Sequence, residues 1–90
     1  MITGPQVRAA RALLEIDQRE LARLSGLSTQ TIQRMEACPG SVRAVVDSLE
    51  KVMAAISHAG VELIVEGAPS TGVGRGVRLM ARKAASDDGR

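Results

Sequence analysis

The chain has 90 residues, 44% of them hydrophobic, and no Trp, Tyr or Phe, which bounds it to one small domain with a core of Leu, Val, Ile, Met and Ala. Its net charge of +2 is too weak to argue a polyanionic partner by bulk charge, so any such partner must be read from where the arginines sit. A lone Cys38 excludes an internal disulfide framework, no run nears the ~18 apolar residues of a membrane span, and no signal peptide opens the chain, so a soluble, cytoplasmic protein with no membrane association is expected.

Thr3-Gly-Pro-Gln6 reads as a capping box that opens a first helix, with Pro5 tolerated in the first turn and an apolar side of Val7, Ala10, Leu13 and Leu14. Asp17 with Glu20 repeats the box and predicts a second helix from about Gln18 to Ser25. Gly26 breaks that pattern, and Ser28 is the next good N-cap, so a third helix is expected from about Thr29 to Ala37, stopped by Cys38-Pro39-Gly40. Ser41 is expected to cap the longest helix. Val42, Val45, Val46, Leu49, Val52, Met53 and Ile56 supply its apolar stripe and Gly60 its stop.

After Gly60 the period changes. VELIVEG and VRLMARK are short and rich in β-branched and aliphatic residues, and PSTGVGRG separates them, so a C-terminal β-hairpin is predicted over residues 61–83. Pairing Glu66 with Arg78 and Glu62 with Arg82 puts opposite charges across the ladder, with Val65 facing Leu79 and Leu63 facing Ala81 on the other side. The hairpin has two uses. It covers the open end of the bundle, or it pairs edge to edge with a second copy, with Val61, Leu63, Val65, Val77 and Leu79 as dimerisation candidates. The thin core favours the second use. AASDDGR, residues 84–90, reads as a disordered tail. GVGRG lacks the following helix and the βαβ context of a dinucleotide-binding loop and is read as hairpin loop. Cys38 and His58 stand alone, whereas a metal needs three or four ligands, so neither a metal nor another cofactor is expected.

The second and third predicted helices are joined by Ser25-Gly26-Leu27-Ser28, a short glycine-containing turn of the helix-turn-helix kind. Ala22 is small enough for the helices to approach, and Leu21, Leu24, Leu27, Ile32 and Met35 supply buried contacts to their neighbours. That leaves Thr29, Gln30, Gln33 and Arg34 outward on the third helix. Gln pairs bidentately with adenine N6 and N7, Arg with guanine O6 and N7, and Thr offers a hydroxyl or its methyl group. A merely solvated face more often interleaves Glu with Lys. Here the only acid is Glu36, placed by the sequence at the end far from the groove.

The pattern Gln18-x-x-Leu21-Ala22-x-x-x-Gly26-Leu27-Ser28-x-x-Thr31-Ile32-x-x-Met35-Glu36 resembles the Cro/C1-type (XRE) helix-turn-helix repressors of phages and bacteria, and the fit extends over about residues 3–60. The resemblance implies a mainly α fold: a small bundle of about four helices over residues 1–60 that binds double-stranded operator DNA, usually as a homodimer. Carried over by position, it makes Thr29, Gln30, Gln33 and Arg34 base-reading residues, the position of Gln33 often pointing along the groove wall in relatives. It makes Gln18 a phosphate contact, where exposed helix N–H groups add attraction. Ser28 and Thr31 contact the DNA backbone or cap the helix, and Arg43 reaches the neighbouring phosphate. This chain departs from the pattern where the hairpin replaces a fifth helix and where Met35 stands at a position often held by Trp or Leu. A transcriptional repressor is the expected function, since so small a chain leaves no room for a separate activation or ligand domain. The alternative is a protein-interaction module of the same fold, such as an antitoxin that grips a toxin with its C-terminal segment. No paired carboxylates, Ser-His-Asp grouping or metal cluster argues for an enzyme.

Overall fold

The computed structural model of the chain describes residues 2–80. Four helices follow in order, α1 (Gly4–Leu14), α2 (Gln18–Ser25), α3 (Thr29–Glu36) and α4 (Val46–Ala59). Each of the first three starts where a side chain satisfies an otherwise orphaned backbone N–H. Thr3 Oγ1 accepts the Gln6 N–H at 3.2 Å while the Gln6 side chain accepts the Thr3 N–H at 2.8 Å, which completes the capping box. Asp17 accepts the Glu20 N–H at 2.8 Å, but the Glu20 carboxylate turns outward to Arg23, so that box is only half made. Ser28 accepts the Thr31 N–H at 3.1 Å and opens α3. Between α2 and α3 the chain reverses at Gly26, whose φ of 75° lies in the left-handed region that L side chains resist.

The helices close on Ile2, Val7, Ala10, Leu21, Ala22, Ile32, Met35, Val42, Leu49, Val52, Ala55 and Ile56, all buried. Packing joins α1 to α3, and α2 to both α3 and α4. Leu13 and Leu24, expected inside, are exposed. Each sits at the margin of its helix's stripe, and the small Ala10 and Ala22 are buried instead.

Two further expectations are corrected. Ser41 does not cap the longest helix, which begins at Val46 after Val45 with no side-chain cap. Residues 40–42 are already committed elsewhere: Gly4 N–H donates to Gly40 O at 3.1 Å, Val42 N–H donates to Ile2 O at 3.0 Å, and Thr3 faces Ser41 in a single antiparallel bridge. A backbone held extended by this stitch cannot also be helical. Val42 is therefore buried from a loop, and Val45 and Val46 lie exposed at the late start of α4. Gly4 also lies close against the end of α3. A Cβ there would lie 2.2 Å from the Cys38 carbonyl oxygen and within 2.9 Å of those of Glu36 and Met35.

The β-hairpin is the second correction: among the described residues, 61–80 contain no strand. Val61 and Leu63 pack against the bundle core, and Ile64 O accepts the Gln6 side-chain amide at 2.8 Å. Two of the charges expected to pair across a ladder, Glu62 and Arg78, bond within the segment instead. Glu62 accepts the N–H of Thr71 at 3.0 Å and of Gly72 at 3.2 Å, and the hydroxyls of Ser70 and Thr71. Arg78 donates to the carbonyls of Ala68 (2.7 Å) and Val65 (3.4 Å). Bonds from a carboxylate or a guanidinium to backbone groups are charge-assisted, and here they satisfy Glu62 and Arg78 without a second strand. The proposed partners Ala81 and Arg82, the end of the second strand and the tail all lie outside the described residues. No helix among the described residues is long and apolar enough to cross a membrane.

Candidate nucleic-acid interface

α3 packs inward through Ile32, Met35 and Glu36 and leaves the opposite side free. On that side Gln30, Gln33 and Arg34 are exposed and Thr29 is half-buried. None of these four side chains takes a hydrogen-bond partner among the described residues, so their donors and acceptors are available to a ligand. Arg34 and Arg43 border one open groove, floored by Ala37, Cys38 and Pro39, which brings the loop arginine to the same side as the helix arginine. Arg43 is exposed on the loop whose backbone the N-terminal stitch holds.

Ser28 and Thr31 are engaged with each other. Ser28 Oγ accepts the Thr31 N–H and lies 2.9 Å from Thr31 Oγ1, which satisfies the start of α3 internally. Their first duty is therefore the cap. Gln18 occupies the first position of α2, half-buried, but its amide does not hang free: Nε2 donates to Glu36 Oε1 at 2.9 Å.

That contact opens on a group the sequence reading placed away from the site. Glu36 is only 3% exposed and is gripped by Arg11, whose Nε and Nη2 donate to its two carboxylate oxygens at 2.5 and 2.8 Å. Arg11 Nη1 also donates to Ile16 O at 3.2 Å, and Arg8 donates to the backbone carbonyl of Glu36. Burial alone would raise the Glu36 pKa and is the largest single influence. The hydrogen bonds from Arg11 and Gln18, with the charges of Arg11 and Arg8, together outweigh it, and the net direction is down. The hydrogen bond from Arg11 to Glu36 in turn raises the Arg11 pKa. The signal for this pair was in the sequence. Arg11 stands four residues after Val7, and Glu36 four after Ile32, so each charge falls on the core-facing stripe of its own helix.

The dimerisation candidates divide. Val61 and Leu63 are half-buried on this chain's own core, whereas Val65, Val77 and Leu79 are exposed, the last two by 80% and 93%. Among the described residues no three His, Cys, Asp or Glu side chains gather as a metal would require.

Residues 7–37, about a third of the chain, match a family model described as Helix-turn-helix. No curated protein and no solved structure matches the chain. The matched stretch runs from Val7 in α1, through the Gly26 turn, to Ala37 at the end of α3. Over that stretch the chain is similar to helix-turn-helix proteins of the Cro/C1 (XRE) type, and the matched residues are those that form the helix-turn-helix itself.

Proposed function

We propose that the chain is a transcriptional repressor that reads operator DNA with α3 in the major groove. One observation carries the reading: the exposed, uncommitted face of Gln30, Gln33 and Arg34 on the second helix of the helix-turn-helix, with Thr29 at its start. Gln and Arg are the side chains whose paired donors and acceptors fit adenine and guanine edges. Arg43, across the groove from Arg34, reaches a phosphate, and Gln18 at the start of α2 reaches another. Repression by occupancy needs nothing beyond binding. Residues 1–60, with Val61 and Leu63 packed on their core, serve as the DNA-binding unit and the segment beyond as the association element.

Two copies on a palindromic site would set two α3 helices about one helical turn apart. Association through Val65, Val77 and Leu79 is supported by their exposure, since apolar side chains grouped on a short segment seek a partner surface. The same exposure would serve a protein partner such as a toxin. A stoichiometric second protein in material purified from native cells would favour that reading over a homodimer.

Selection of bound sequences from random duplex DNA tests binding, palindromy and half-site spacing together. Arg34→Ala should then weaken the selected site by ~1–3 kcal/mol and relax preference at one base pair. An unchanged profile for that variant would remove Arg34 from the reading set.

A further inference from the structure

The link between Gln18 and Glu36 joins two parts of the interface that differ in task. Gln18 begins α2, beside the helix N-terminus, while Glu36 ends α3, the helix assigned to the bases. A carboxylate can only accept, so the Gln18 nitrogen must face Glu36 and the amide has one permitted orientation. Its second N–H takes no partner among the described residues. Glu36 is itself held by two bonds from Arg11, and Arg8 holds its backbone carbonyl. Arg11 also cancels a charge that would otherwise repel a phosphate close to Gln18.

We propose that Glu36 is a positioning residue for DNA binding: it fixes the Gln18 amide against the end of α3, so that the phosphate contact and the base-reading helix arrive in one register. The inference rests on the DNA reading above. A free glutamine side chain has several rotamers to lose when it meets a phosphate, and this one has lost them in advance. The phosphate contact carries no sequence information, so its loss weakens all duplexes alike.

The test replaces the ion pair without burying a lone charge. Apolar substitution of both partners of a buried pair is often neutral or stabilising, so Arg11→Met/Glu36→Met is expected to fold while taking away the acceptor for Gln18. Affinity is measured by fluorescence anisotropy on a random-sequence duplex and on the selected operator, for the unaltered chain, Gln18→Ala, the double variant, and all three substitutions together. Gln18→Ala should lower the affinity of the unaltered chain by about five- to tenfold on both duplexes. In the double variant it should change affinity by less than about twofold. An equal loss in both backgrounds overturns the positioning role and leaves the DNA reading intact. No binding by the unaltered chain to either duplex overturns both. Should the double variant fail to fold, Glu36→Asp keeps the charge that balances Arg11 and draws the carboxylate back by one methylene. It is then expected to show the same loss of coupling to Gln18, and full coupling would overturn the role. NMR supplies a signature that a purely structural part would not move. In the unaltered chain the Gln18 side-chain proton that donates to Glu36 should exchange with solvent many-fold more slowly than its geminal partner, and in the Glu36 variants the two rates should approach each other. Comparable exchange rates for the two protons in the unaltered chain count against the proposal.

Discussion

Glu36 and Glu62 are the same residue in two regions, and each has a pKa held down by hydrogen bonds. Glu36 is buried and binds side chains from two other helices, Arg11 on α1 and Gln18 on α2. Glu62 is exposed and binds a loop eight to ten residues further along its own chain. In the bundle, a charged group fixes how distant elements meet, and burial makes its partner indispensable. In the segment after α4, a charged group shapes only its own neighbourhood, and water stands ready to replace every bond it makes. The difference separates a region held by tertiary contacts from one held by local clasps.

Breaking the bundle's side of this contrast should have the largest effect. Arg11→Met alone leaves Glu36 buried and unpaired. It should cost ~3 kcal/mol in urea denaturation, at the lower end for a buried pair because Arg11 keeps some contact with water. The double replacement with Glu36→Met should recover most of that loss. If the single variant is as stable as the unaltered chain, the ion pair does not organise the fold.

Gly4→Ala comes next. Helix propensity favours Ala over Gly by ~0.5–1 kcal/mol, yet the added Cβ would press on the Cys38 carbonyl, which is backbone and cannot swing away. Overpacking of this kind costs ~1–3 kcal/mol, so the variant should be less stable and its midpoint lower. A stabilised variant would show that the contact between the start of α1 and the carbonyls at the end of α3 is loose.

Truncation locates the border between the two regions. A chain ending at Gly67 keeps Val61 and Leu63 on the core and should unfold close to the full chain. One ending at Gly60 loses both and should fall by ~1–2 kcal/mol, the share expected for two partly buried aliphatic side chains. Equal midpoints for the two truncations would place the border at Gly60.

The smallest effect belongs to Glu62→Gln. Amide exchange at Thr71 and Gly72 should quicken while the thermal midpoint of the bundle stays put, because the carboxylate is exposed. Acid separates the two glutamates in the same way. Each has a folded-state pKa below its unfolded value, so its contribution is whole above the unfolded pKa of about 4.3 and fades as pH falls through the depressed folded value. In that acid window the bundle should lose global stability through Glu36, while Glu62 should release only residues 70–72.

The helix-turn-helix was legible because its signals are local. Asp17, Ser28 and Gly26 each act within three or four residues of themselves, and α2 spans the predicted residues. Ser41 carried an equally good local signal, but the chain's first residues claim its neighbours, and no local pattern announces that. Alternation after Gly60 marked residues able to extend without saying what they would bond to, and the clasps of Glu62 and Arg78 decided it. At the interface, the outward placement of Gln30, Gln33 and Arg34 followed from helical period. The tie between Gln18 and Glu36 spans two helices, and only the fold brings those side chains together.

The stitch at the N-terminus bears on how much order DNA binding would have to create. The segment from Ala37 to Val45 has no helix, and such a connection would ordinarily lose backbone freedom on meeting a duplex. Here Gly40 and Val42 are already bonded to Gly4 and Ile2, with Ile2 itself in the core, so Arg43 hangs from a fixed point and only its side chain remains to be ordered. On the proposed DNA reading, the first residues of the chain, which need touch no nucleic acid, would lower the entropic cost of binding by holding the loop in advance.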